Sequence, residues 1–222
     1  MTETLGQRLV AEAVGTFALV FAGCGAIMVD AKTGQLGHVG VAISFGLVIT
    51  VMISALGHIS GAHFNPAVTF AFALGRHFPT ALVAPYWAAQ LVGGVAAALL
   101  LRRSLGLIGG LGATTPSGSD GQAFLWETVL TVFLVLVILA VATDTRAQGQ
   151  LAAIAIGATV GLDAMFGGPI TGASMNPARS LAPAIAGGPT TGLWIYLLAP
   201  LLGAAISTGL YAYLSVRRTS TA

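Results

Sequence analysis

The chain has 222 residues, of which 56% are hydrophobic and only 7% charged, with a mean hydropathy of +0.90. A water-soluble domain carries about 25% charged residues, so this composition excludes a solvated globular surface and describes an integral membrane protein. The net charge of +2 arises from nine scattered Lys and Arg, which form no basic stripe and so exclude a nucleic-acid partner.

Runs of about 20 apolar residues cross a bilayer, and the chain has room for six with short loops. The first span is predicted from Leu9 to Val29, with Glu12 near its start and Gly15, Gly23 and Gly25 along it. This run is too long for a signal core of about 7 to 15 residues, so no cleavable leader is expected. Phe21-Ala22-Gly23-Cys24 is a poor lipoprotein site, because the apolar run continues past it. Cys24 is the only cysteine; it reads as a small core residue and can form no intrachain disulfide. A loop from Asp30 to Gly37 leads to a second span over His38 to Leu56. His58 to Phe64 follows, and then a segment from Pro66 to Leu74 that is too short to cross. Arg76-His77-Phe78-Pro79 ends it, and the third span occupies Ala81 to Leu101. Arg102 and Arg103 open a glycine-rich loop that runs to Asp120.

The second half repeats the plan. A fourth span covers Phe124 to Ala142 with Glu127 near its start, Asp144 to Gln150 forms a polar turn, and a fifth span covers Leu151 to Phe166. Gly167 to Met175 is expected to be irregular, Pro177 to Ile185 is again too short to cross, and the sixth span covers Leu193 to Leu214. Ser60-Gly61-Ala62-His63-Phe64-Asn65-Pro66-Ala67-Val68-Thr69 and Thr171-Gly172-Ala173-Ser174-Met175-Asn176-Pro177-Ala178-Arg179-Ser180 carry the same motif, with the asparagines 111 residues apart. Asn is a good N-cap and Pro is tolerated at the first helical position, so each stretch reads as a loop that becomes a helix. A single copy would be an ordinary helix start. Two copies in matching places of an apolar chain point to a membrane pathway built from interrupted segments. Glu12 stands 53 residues before Asn65 and Glu127 stands 49 before Asn176, so the halves stay nearly in register. The chain is expected to be one transmembrane channel domain with an internal repeat, residues 1–103 and 121–222, joined by a loop over 104–120. The fold class is an all-α membrane protein with six transmembrane helices and two re-entrant half-helices in an inverted three-helix repeat.

An odd number of spans per half inverts the second copy, so the two Asn-Pro-Ala ends are expected to meet near the bilayer midplane. Irregular backbone at that depth must be buried in protein or face a wet cavity. Carbonyls of Gly61, Ala62 and His63, and of Gly172, Ala173 and Ser174, could form a ladder of acceptors. The amides of Asn65 and Asn176 could donate at the midpoint, where both short helices aim their positive ends. A neutral hydrogen-bonding molecule could pass. A cation would meet two positive dipole ends and Arg179. Glu12 and Glu127 are costly within a span; they read as proton carriers or as acceptors for amides of the adjoining loop, and their symmetrical placement favours the second role. Asp163, without a counterpart in the first half, could titrate or hydrogen-bond between helices. His58 and His63 read as fixing loop geometry, since no Cys or carboxylate cluster completes a metal-ligand set; no metal or cofactor is expected. Arg179 reads either as a satisfied buried cation or as a group at the mouth of the passage.

The paired Asn-Pro-Ala motifs, the glutamates of spans one and four, and the arginine after the second motif closely resemble the aquaporin or major intrinsic protein family over nearly the whole chain. The stretches Gly57 to Thr69 and Ala142 to Ala147 are most similar to bacterial relatives of the nodulin-like intrinsic proteins of plants. The resemblance implies six tilted helices and two half-helices around a pore in each subunit, normally in a homotetramer. It also implies a four-residue selectivity filter at Phe45, Ala164, Ala173 and Arg179. Strict water channels of the family usually have a histidine at the place of Ala164. Glycerol channels usually have two aromatics in the filter and an aspartate after the arginine, where this chain has Phe45 alone and Ser180. A wide, partly apolar rim is therefore expected, passing water and small uncharged polyhydroxy solutes such as glycerol or undissociated metalloid acids.

Two other readings remain at this point. If Phe45 and neighbouring bulk close the rim, the pore passes water alone. An inverted repeat with broken helices would also suit an ion-coupled transporter, although asparagines rather than ionisable groups stand at the midplane. No nucleophile and base pair, phosphate loop or metal cluster suggests an enzyme. Arg8, Arg76, Arg146, Arg217 and Arg218 would lie on one side of the membrane against Lys32, Arg102 and Arg103 on the other, which favours cytoplasmic termini. Short termini without a targeting segment suit a bacterial inner membrane.

Overall fold

The computed structural model describes residues 3–143 and 151–215. The turn assigned to Asp144 to Gln150, with Arg146, and the C-terminal Arg217 and Arg218 lie outside the described residues. Among the described residues eight α-helices follow in order: α1 Leu5–Thr33, α2 Gly37–Ser60, α3 Pro66–Leu74, α4 Val83–Leu105, α5 Asp120–Thr143, α6 Ala152–Thr171, α7 Pro177–Ile185 and α8 Leu193–Ser215. All but α3 and α7 are long and apolar enough to cross a membrane, giving six spans and two half-helices. Valine, leucine, isoleucine and phenylalanine on the outer faces stay exposed, as at Val10, Phe21, Leu47, Val92, Phe133 and Leu198. Such a surface suits lipid rather than water.

The halves pack alike. Helix α1 lies against α4 and α2, α5 lies against α8 and α6, and α2 meets α6 across the halves. Glycine sets how closely these helices approach. A Cβ on Gly93 of α4 would stand 2.0 Å from the Ala13 carbonyl oxygen of α1, and one on Gly203 of α8 would stand 2.5 Å from that of Thr128 in α5. The two contacts match, since Ala13 and Thr128 each follow the glutamate of their half.

Several helices exceed the expected spans. Helix α1 begins at Leu5 because Thr4 and Gln7 form a capping box. Helix α2 runs on to Ser60, which leaves His58 exposed on the helix rather than fixing the loop. The larger departure is α6, which continues through Pro169 to Thr171 where irregular backbone was expected from Gly167. Proline cannot donate to the carbonyl four residues earlier, which here belongs to Met165. His38 Nε2 donates to that oxygen at 2.7 Å, so the helix carries the proline without an orphaned acceptor. The loop over 104–120 is also more than a linker. Gly109, Gly110 and Leu111 take left-handed φ of 57°, 60° and 58°, and Leu111 is fully buried.

Candidate functional site

The two loops before α3 and α7 are built by the same bonds. Gly61 and Gly172 end α2 and α6 in left-handed conformation, with φ of 87° and 84°. The backbone stays at positive φ at Ala62 (50°) and Phe64 (50°), and at Ala173 (42°) and Met175 (53°). Non-glycine residues rarely hold such angles unless their surroundings impose them, and the imposing group is a carboxylate. Glu12 accepts from Ser60 Oγ at 2.7 Å, His63 N at 2.9 Å and Phe64 N at 2.8 Å. Glu127 accepts from Thr171 Oγ1 at 2.7 Å, Ser174 N at 2.8 Å and Met175 N at 2.8 Å. Both carboxylates are fully buried, and each of their oxygens accepts at least one of these charge-assisted bonds.

Asn65 and Asn176 cap α3 and α7. The Asn65 side-chain oxygen accepts from Ala67 N at 2.8 Å, and that of Asn176 from Ala178 N at 3.0 Å and Arg179 N at 3.2 Å. Pro66 and Pro177 sit in the first turn, where no amide hydrogen is needed. The side-chain nitrogens reach across the halves: Asn65 Nδ2 donates to the Met175 carbonyl at 2.7 Å, and Asn176 Nδ2 to the Phe64 carbonyl at 2.9 Å. The two half-helices therefore meet N-terminus to N-terminus. An amide has two donor hydrogens, so each asparagine keeps one for the cavity that both line.

That cavity has a volume of about 630 Å³ and runs past both loops. Phe45, Ala164, Ala173 and Arg179 all line it, as do Gly61, Ala62, His63 and Ser174. Gly172 does not; its backbone lies against Thr114, whose Cγ2 would stand 2.9 Å from an added Cβ. Nor do Pro66, Ala67, Pro177 and Ala178, which are buried in the half-helices behind the asparagines. Phe45 fits because Gly23 has no side chain where the ring lies. Arg179 is 2% exposed, with its guanidinium carbon 5.1 Å from the Phe45 ring centroid. Its Nη1 donates to the Gly112 carbonyl at 2.8 Å, while Nε and Nη2 have no partner among the described residues. Arg179 thus places a fixed, buried guanidinium, not fully hydrogen-bonded among the described residues, at the cavity wall.

Several supporting residues escape a motif-based reading. Tyr86 Oη donates to the Ser60 carbonyl at 2.9 Å, and Tyr196 Oη to that of Thr171 at 2.7 Å. The spacings of 26 and 25 residues match between halves, so extending the repeat past the half-helices would reveal the pair. The Gly112 carbonyl has no such signal, because the central loop is not duplicated. Gln90 donates to Glu12 at 2.7 Å and to Thr69 at 3.0 Å in the first half only. His63 is buried, with Nδ1 3.1 Å from Thr69 Oγ1 and its ring 4.7 Å from that of Phe72. Asp163 is fully buried, and neither oxygen has a partner among the described residues. No group of three or more metal-ligating side chains occurs among the described residues.

A family model described as "Major intrinsic protein" matches residues 2–211. Nodulin-26 from Glycine max is 51% identical over 215 residues, which is 96% of this chain and 79% of that protein. Aquaporin NIP2-2 from Zea mays is 48% identical over 211 residues, 95% of this chain and 72% of that protein. Among solved structures, the aquaglyceroporin from Plasmodium falciparum is similar with a TM-score of 0.85 and 27% identity, covering 94% of this chain and 96% of that one.

Proposed function

The chain belongs to the major intrinsic protein family, and we propose that it is a passive channel for water and small uncharged polyhydroxy solutes, such as glycerol or undissociated metalloid acids. It is not an enzyme. The observation that carries the solute range is the cavity wall, where Ala164 and Ala173 present only methyl groups beside Phe45 and Arg179. A molecule with a carbon skeleton and hydroxyls can lay the skeleton on the methyls and the ring. Its hydroxyls accept from Arg179 and, at the midpoint, from the spare hydrogens of Asn65 and Asn176. Each half-helix places about half a positive charge at its N-terminus; together with Arg179, these ends raise the energy of a cation or hydronium where the asparagines meet. The Zea mays relative is named as an aquaporin and the similar structure as an aquaglyceroporin, which supports both water and glycerol as cargo.

Within this reading, Glu12 and Glu127 support the loops, and residues 1–103 and 121–222 form the two halves of one channel unit joined by 104–120. The resemblance to the family supports a homotetramer. Arg8 and Arg76 stand two against three with Lys32, Arg102 and Arg103 among the described residues, so cytoplasmic termini rest on Arg146, Arg217 and Arg218 in the full sequence. The relatives named above are plant proteins and give a bacterial inner membrane no support; that placement rests on the sequence alone. A strictly water-selective pore is the second reading, favoured by the Phe45 ring lying against Arg179 in the rim. The deciding experiment is stopped-flow light scattering on proteoliposomes of the wild type and Ala164→His under water and glycerol gradients. The proposal expects glycerol flux in the wild type that falls sharply in the variant while water flux persists. Fast water flux without glycerol flux in the wild type selects the water-only reading, and flux that requires an ion gradient selects a coupled transporter.

A further inference from the structure

The cavity that reaches Arg179 at one end is lined at its other end by Arg8 and Phe78, and the two ends are constructed alike. Arg8 Nε donates to Tyr86 Oη at 2.8 Å, and the guanidinium carbon stands 5.4 Å from the Tyr86 ring centroid and 5.7 Å from that of Phe78. Its Nη1 and Nη2 make no hydrogen bond among the described residues. Arg179 likewise has one nitrogen tied, two unpartnered and an aromatic ring beneath the guanidinium. The internal repeat does not account for this likeness. Arg8 lies four residues before Glu12, where the second half has Ala123 before Glu127. Arg179 lies three after Asn176, where the first half has Val68 after Asn65. Each half has thus placed an arginine on an aromatic ring at a different position of the repeat, at opposite ends of one passage.

We propose that Arg8 and Phe78, with Tyr86 fixing the guanidinium, form a second solute-binding station at the N-terminal mouth, recognising the same uncharged hydroxylated molecules as the Arg179 rim. The two Nη groups donate to solute hydroxyls, and the Phe78 ring takes the carbon skeleton. A molecule shedding its hydration shell then meets matched partners at both entrances. Tyr86 couples the station to the pore wall, because the same hydroxyl that accepts from Arg8 donates to the Ser60 carbonyl.

The inference rests on the polyol reading of the channel, and the test separates the two. Water and glycerol permeabilities are measured by stopped-flow light scattering on proteoliposomes of the full chain, for the wild type, Arg8→Gln, Arg8→Lys and Phe78→Leu. The glycerol-to-water permeability ratio is expected to fall at least about threefold in Arg8→Gln and Phe78→Leu, the loss of one hydrogen bond or aromatic contact. Arg8→Lys, which keeps the charge without the planar fork, is expected between Arg8→Gln and wild type. A defect confined to folding lowers both fluxes and leaves the ratio in place; if Arg8→Gln fails to insert, the ratio in Phe78→Leu decides. Wild-type ratios in the inserted variants overturn the station. A wild-type ratio in Arg8→Lys with a lowered one in Arg8→Gln overturns the fork in favour of simple charge. A wild type that passes water but no glycerol overturns the polyol reading and the station with it.

Discussion

The contact between Gly93 and the Ala13 carbonyl ties helix packing to the pore loop, and Gly93→Ala tests that tie. The new Cβ would lie 2.0 Å from the carbonyl oxygen, whereas carbon and oxygen approach to about 3.3 Å without penalty, so α1 and α4 must part by roughly 1.3 Å. Backbone is the obstacle on the α1 side, so no side-chain rotation relieves the clash, and the cost sits at the upper end of the about 1–3 kcal/mol typical of overpacking. Glu12 adjoins Ala13 and moves with it. Its bonds of 2.7–2.9 Å to Ser60, His63 and Phe64 do not survive a shift of that size, and Phe64 is the residue whose carbonyl Asn176 holds. The variant should therefore melt at a lower temperature in detergent and lose most of its water permeability in proteoliposomes at matched protein content. Gly203→Ala, with 2.5 Å to the Thr128 carbonyl oxygen, should show the same defects more mildly. Gly209→Ala meets nothing within 4 Å and should be neutral or stabilising by up to about 1 kcal/mol. Wild-type melting and flux in Gly93→Ala would show that the helices part without disturbing the Glu12 loop, and the reasoning would be wrong.

Glu127→Gln puts an amide donor against a backbone N–H, that of Met175 if Oε1 is retained, and should lower the melting temperature more than Glu12→Gln. In the first half, Gln90 can turn its unpartnered oxygen to meet the new amide; equal shifts in a thermal melt would contradict this. Arg179→Lys keeps the charge but cannot hold the Gly112 carbonyl while presenting two further donors in one plane. It should lower the glycerol-to-water permeability ratio, and an unchanged ratio would mean that the fork does not contact solute. His38→Ala leaves the Met165 carbonyl without its donor in front of Pro169. Because the site is exposed, water should replace the imidazole and the loss of stability should stay below about 1 kcal/mol; a larger loss in a denaturant or thermal melt would show that the ring does more than satisfy one oxygen.

Much of this molecule was legible from the chain alone. Six apolar runs, two half-length segments opened by Asn-Pro, and a glutamate ahead of each fixed the class and the inverted repeat, because span length and helix capping are local properties that composition and spacing express. The ends of α3 and α7 were legible for the same reason. The course of α6 was not. Gly167, Gly168 and Pro169 break a helix by local rules, and only His38, distant in sequence, supplies the donor that lets the helix pass through them. The glycine-rich centre was equally opaque, since nothing in its composition announces that the Gly112 carbonyl will orient Arg179.

The sequence by itself determined that the chain crosses a membrane six times and breaks its helices twice, since hydropathy, caps and prolines act within a few residues. Tertiary structure alone decided which polar groups meet in the passage. Asn65 holds the Met175 carbonyl, Asn176 holds the Phe64 carbonyl, and Arg8 and Arg179 take up matching positions at its two ends. Those pairings join residues as many as 112 positions apart, and a hydrogen bond across that distance depends on how whole helices pack rather than on any neighbouring residue.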